Sequence, residues 1–101
     1  MELLLITAVS SYEDDIKKLL KTNGVKAYSH LNVNGYKEMP QNQGDNWFAS
    51  TAGEHSSALF YVFIESSEVD QLLQVMSDFN NEQNSQSHIH AVVLDVKKSL
   101  N

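Results

Sequence analysis

The chain has no cysteine, a single proline, a single tryptophan and four glycines in 101 residues. Without thiols there are no disulfides, thiolate zinc sites or cysteine nucleophiles, so any reactive chemistry falls to imidazole, carboxylate and hydroxyl groups. Positive charge is also scarce: 7 basic residues stand against 13 acidic ones, giving a net charge of −6. A chain with so few cations has no basic stripe for a phosphate backbone, so neither nucleic acid nor an anionic membrane is expected as a partner. Long apolar runs are missing too. The longest, Ala58 to Ile64, is far below the roughly 20 residues of a spanning helix, so no membrane insertion is expected. Leu3-Leu4-Leu5-Ile6 near the start follows Glu2 where a secretory segment has basic residues, and the acidic cluster Glu13, Asp14 and Asp15 comes soon after. We therefore expect a cytoplasmic chain without a targeting signal. No Walker or dinucleotide motif is present.

What remains is the composition of an ordinary globule, 42% hydrophobic and 20% charged, with length for one domain over residues 1–101. A chain of this size makes a modest core, which association with further copies would enlarge.

Glu2 to Val9 is apolar with no 3.6-residue period and predicts a strand covered on both faces. Ser10 with Glu13 has the spacing of a capping box. Tyr12, Ile16, Leu19 and Leu20 then share one helical face, and Gly24 supplies a left-handed stop. From Val25 the period becomes two: Val25, Ala27, Leu31 and Val33 alternate with Lys26, Tyr28, His30, Asn32 and Asn34, which predicts a second strand with a polar side. Gly35 to Ser57 has no sustained period and predicts a long loop, with Tyr36, Met39, Trp47 and Phe48 as its large apolar residues. Ala58 to Glu65 predicts a third strand apolar on both sides. Ser67 can cap a second helix whose stripe is Val69, Leu72, Leu73, Met76 and Phe79, with Asn80-Asn81 as its stop. His88 to Val96 predicts a fourth strand, with His88, His90, Val92 and Leu94 on one face and Ile89, Ala91 and Val93 on the other.

The order βαββαβ predicts an α+β, ferredoxin-like domain: a four-stranded antiparallel sheet with two helices on one face and right-handed crossovers. The face opposite the helices is left bare, yet strand three is apolar on both sides, and an exposed patch of that kind implies a homo-oligomer. The alternative is that the long loop folds back over the sheet through Trp47 and Phe48.

In this element order, in length, in Val33-Asn34-Gly35-Tyr36 and in the long loop that follows, the chain resembles the PII signal-transduction family and its PII-like relatives. That family's second strand ends in Val-Lys-Gly-Phe. The resemblance implies a homotrimer of ferredoxin-like subunits whose clefts bind small effectors. It implies also a T-loop, here Gln41 to Glu54, that contacts a target protein such as a membrane transporter. Gly35, Tyr36, Trp47 and Phe48 are then the candidate effector or partner residues. Members that bind ATP carry a glycine-rich Thr-Gly-x-x-Gly-Asp-Gly segment between the second helix and the fourth strand. Here that place reads Asn80-Asn81-Glu82-Gln83-Asn84-Ser85-Gln86-Ser87, with no glycine, no cation and one carboxylate, which argues against ATP. Lys97 and Lys98 match the family's basic residues after the last strand only loosely.

His88 and His90, spaced i, i+2 on a strand, put two imidazoles on one face about 7 Å apart along the chain, within reach of one metal ion. His30, on the other edge strand, reaches them only through subunit contacts, and His55 beside Glu54 is a further ligand at the end of the loop. Such a nitrogen- and oxygen-rich set suits a divalent transition metal such as zinc, copper or nickel. The bland alternative leaves these histidines exposed or hydrogen-bonded on edge strands. Because some bacterial PII-like proteins accompany heavy-metal efflux systems, the resemblance makes a metal-responsive regulator one reading. A small ferredoxin-like monooxygenase using Asn46, Trp47 and His55 is another, set against by the placement of all three in one loop. A third is an amino-acid-binding module, which lacks its usual glycine turn at Ala8-Val9-Ser10-Ser11. The expectation drawn from all of this is a non-enzymatic sensor.

Overall fold

Alternation along the first strand sets the architecture. In β1 (Glu2–Val9) the even positions Leu4, Ile6 and Ala8 are fully buried, and in β3 (Gly53–Ile64) so are Ala58, Phe60, Val62 and Ile64. The two strands pair antiparallel with Ile6 opposite Phe60, so these side chains form one continuous apolar face. Onto that face pack Ile16, Leu19 and Leu20 of α1 (Glu13–Thr22) and Val69, Leu72 and Met76 of α2 (Ser66–Glu82). The computed structural model describes residues 1–37 and 53–100. β2 (Ser29–Lys37) and β4 (His90–Asp95) complete a four-stranded antiparallel sheet in the order β2-β3-β1-β4. This is the βαββαβ arrangement expected from the sequence.

The end of α1 follows its sequence signal closely. Gly24 takes φ +82°, its N–H donates to the Lys21 carbonyl at 3.2 Å, and the Val25 N–H donates to the Leu20 carbonyl at 3.0 Å. These are the paired bonds of a Schellman stop, and Val25 tucks against the core as the hydrophobic member of that motif.

Both helix starts differ from expectation. Ser10–Tyr12 form a short 3-10 turn, α1 begins at Glu13, and the Ser10 hydroxyl bonds the Ser56 hydroxyl at 2.7 Å, so the capping box does not form. α2 begins at Ser66 with no side-chain cap; the Ser66 hydroxyl reaches the Glu2 carboxylate at 3.1 Å, and Ser67 caps nothing. In each case a hydroxyl suited to a local cap is drawn to a neighbouring strand. The strand boundaries shift as well. β2 starts at Ser29 instead of Val25 and runs through Gly35 and Tyr36, while β3 begins at Gly53, so both ends of the expected loop are ladder. Gly35 faces His55 and Tyr36 faces Glu54 as rungs, because a hairpin of two long strands can keep making backbone bonds where side-chain periodicity has faded. α2 continues past the expected Asn80-Asn81 stop to Glu82, and β4 is confined to His90–Asp95.

Two substitutions test this architecture. Gly24→Ala is expected to cost roughly 1–2 kcal/mol from backbone strain alone, because no atom lies within 4 Å of the added Cβ. Phe60→Ala, at the centre of the buried face, should cost about 3–5 kcal/mol. Urea denaturation of each variant against the parent chain measures both.

Candidate functional site

The face of the sheet turned away from the helices is built by the odd residues of β1, β2 and β3 and the even residues of β4. The ladders set its rows: Ser29, Tyr61, Leu5 and Val92; then Leu31, Leu59, Thr7 and His90; then Val33, Ser57 and Val9. Leu3 lies between Phe63 and Leu94 at the far end. None of these side chains carries a formal charge when the histidine is neutral. Phe63 is 55% exposed, Leu94 46% and Leu31 45%, large values for apolar side chains in the middle of strands. On β4 even Val93, which points to the helical side, is partly exposed, because the helices do not extend over that end.

Polar groups gather at the end of the sheet where β1 finishes and β3 and β4 begin. Thr7 and Ser57 are buried there, and the Ser57 hydroxyl has no hydrogen-bond partner among the described residues. A hydroxyl in that state typically costs about 1–3 kcal/mol until a partner is supplied. Beside Thr7 is half-buried His90, preceded by exposed His88. Burial holds the His90 imidazole below the usual histidine value of 6.5, and the nearby His88 adds charge repulsion in the same direction.

The structure places His30 apart from His88 and His90. His30 lies on β2, the opposite edge of the sheet from β4, and on the opposite face: its ring stacks on Phe60 at 5.3 Å and 24°, next to Tyr28 at 5.6 Å from the same phenyl. The side of β2 read as polar therefore completes the cover over Phe60. His55 is described by its rung opposite Gly35, two residues before Ser57. Of the histidines whose side chains are described, His88 and His90 lie near enough for one to repel charge on the other, and among the described residues no group of three histidines, aspartates or glutamates converges as a metal site. Of the candidate partner residues, Gly35 is buried and Tyr36 is 65% exposed, both in β2. Asn46, Trp47 and Phe48 lie outside the described residues. Sequence reasoning did not find Ser57, Thr7 or Asn80. Asn80, taken for a helix stop, exchanges two hydrogen bonds with the backbone of Ile89.

Among the hollows on the described residues, one of about 220 Å³ lies against Tyr28, Tyr61 and Phe63, and another of about 230 Å³ between α1 and α2. Both fall below the roughly 300 Å³ at which small-molecule pockets begin.

The depressed His90 value has a defined sign in stability. Above about 6.5 neither folded nor unfolded chain protonates this residue, and its contribution is complete. As pH falls below that point the unfolded chain takes up the proton first, so stability should decline toward the lower folded-state value. His90→Gln should flatten this part of a pH series of urea midpoints, and NMR titration of the His90 ring should report a value below the usual 6.5.

No protein-family model matches the sequence, and no curated protein matches it. Solved structures do. A DUF3240 family protein from Shewanella baltica OS155 superposes with a TM-score of 0.70 at 14% identity, covering 99% of this chain and 93% of its own. CPII, a nitrogen regulatory PII-like protein from Thiomonas intermedia K12 whose structure holds ADP, AMP and bicarbonate, superposes with a TM-score of 0.61 at 15% identity, covering 96% of this chain and 94% of its own. At these identities the likeness is one of fold, and it extends over nearly the whole chain: this protein has the PII-like fold.

Proposed function

We propose that this chain is a non-enzymatic PII-like regulator that assembles into a homotrimer through its open sheet face, holds a small effector or metal ion between subunits, and contacts a target protein through the segment joining β2 and β3. The observation that carries this reading is the uncharged, partly exposed face of Leu31, Tyr61, Phe63, Val92 and Leu94. A surface of that composition loses free energy in water and gains it against a second apolar surface, at about 25 cal/mol per Å² removed from solvent.

Three further features agree. Two hollows on the described residues hold only about 220 and 230 Å³, and a neighbouring copy docked beside them would wall a larger cleft. The Ser57 hydroxyl is buried with no partner among the described residues, at the end of the sheet where β3 begins, and a ligand or a second subunit would supply one. CPII, of the same fold, is a nitrogen regulatory PII-like protein that binds ADP, AMP and bicarbonate. The present chain departs from a nucleotide site in Asn80 to Ser87, which has neither glycine nor cation, so we assign it a metal ion or another small effector. Ligand binding would act by biasing an equilibrium between states of the β2–β3 connection, and the target would read that shift.

Native mass spectrometry at micromolar concentration should find a trimer. Phe63→Glu or Leu94→Asp, each placing a carboxylate on the open face and away from the core, should give a monomer with an unchanged far-ultraviolet circular dichroism spectrum. A parent chain that is already monomeric under these conditions would contradict the proposal.

A further inference from the structure

β4 makes its last rung at Asp95, opposite Glu2 of β1. One further bond holds the chain to the sheet, from the Val96 N–H to the Met1 carbonyl at 3.4 Å, and residues 97–100 then run on as an exposed arm outside any strand or helix. Leu100 in that arm is 98% exposed, more than any other large apolar side chain among the described residues. Ser99 and Leu100 nevertheless border, with Met1 and Phe63, a hollow of about 220 Å³ at the corner of the open face where β3 finishes. Apolar cavities of about 150 Å³ already accept a benzene-sized group, so a leucine side chain fits this hollow. At its exposure Leu100 lines the hollow without filling it. An apolar peg and an apolar hole therefore lie side by side on one chain.

Symmetry gives that juxtaposition a consequence. In a cyclic assembly every residue keeps its height along the axis from one copy to the next. A peg and a hole adjacent on one chain are then level with each other across the subunit boundary, and Phe63 belongs to the face through which the copies pack in the assembly proposed above. Charge acts in the same sense. Copies carrying −6 each repel at long range, and a local attraction is needed at the contact. Lys97 and Lys98 supply two of the chain's seven cations to the arm, while Glu2, Glu65 and Asp95 stand at the strand ends around Met1 and Phe63.

We propose that residues 97–100 form an arm exchanged between copies of this chain, with Leu100 of one copy seated in the hollow beside Met1 and Phe63 of the next and the two lysines against its acidic strand ends. Each copy gives one arm and receives one, so the contact is fully used when the ring closes. The inference rests on the assembly proposed above and names the element that joins its subunits at this end.

The absence of native cysteine makes a direct test available. Two single-cysteine chains, Phe63→Cys and Leu100→Cys, are mixed as dilute monomers, concentrated together and mildly oxidised; cysteine keeps both positions apolar. A disulfide needs Cα atoms within about 7 Å, so a mixed disulfide between the two chains is expected by mass spectrometry, and none when Asp70→Cys on the exposed side of α2 replaces Phe63→Cys. Leu100→Asp should raise the trimer dissociation constant at least about tenfold, and Leu100→Met should stay within about threefold of the parent. Because Leu100 is already in solvent in the single chain, neither variant should alter the circular dichroism or melting temperature of diluted monomer. A dissociation constant unchanged in Leu100→Asp overturns the arm and leaves the assembly standing. So does a disulfide in Phe63→Cys/Leu100→Cys that closes only within one chain. A parent chain that is monomeric at micromolar concentration removes the assembly and the arm with it.

Discussion

Everything in this molecule follows from a sheet that is apolar on two faces and has helices for one. Leu4, Ile6, Phe60 and Val62 are sealed by α1 and α2, whereas Leu3, Leu5, Leu59, Tyr61 and Phe63 on the same two strands face away from both helices, and Tyr61 and Phe63 stay exposed. Such alternation is not required by the fold: a sheet with one wet face ordinarily places polar residues there. The rows from Phe63, Leu3 and Leu94 to Val33, Ser57 and Val9 carry no formal charge when His90 is neutral, a composition that favours contact with another apolar surface.

The open face and the polar end of the sheet are parts of one arrangement. The register that lines up Leu5, Tyr61 and Val92 puts Thr7 beside His90 and Ser57 beside Val9 one step further along. A subunit docked on the apolar rows would therefore roof Thr7, Ser57 and His90 as well, walling a pocket between copies. Assembly and ligand binding would then be linked through shared residues at the end where β2 finishes and β3 begins.

Much of the fold was legible in the sequence because it is written in short-range patterns. The two-residue period of β1, β3 and β4, the stripe Ile16, Leu19 and Leu20, and Gly24 each need only their neighbours to be understood. What escaped were side chains whose partners are distant in sequence. Ser10 fits a capping box on local grounds, yet Ser56, 46 residues away, takes its hydroxyl. Asn80 reads as a helix stop, but the helix passes it and its amide clasps Ile89. His30 alternates with polar neighbours and was placed on a polar side; the structure lays it over Phe60, because the helical layer leaves that edge of the core to rings from β2. Of the candidate site, the proximity of His88 and His90 was readable from spacing. Their anchoring and the buried Ser57 hydroxyl were not, since both depend on which strands and helices come together.

The central claim is that sister copies cover the open sheet face, and hydroxyl-radical footprinting reports on it residue by residue. In native protein at micromolar concentration, Tyr61, Phe63 and Leu94 should be oxidised far more slowly than their exposures of 39%, 55% and 46% in the single chain imply, and dilution to monomer should restore their reactivity. Reactivity that already matches those exposures at micromolar concentration, and does not change on dilution, would contradict the account.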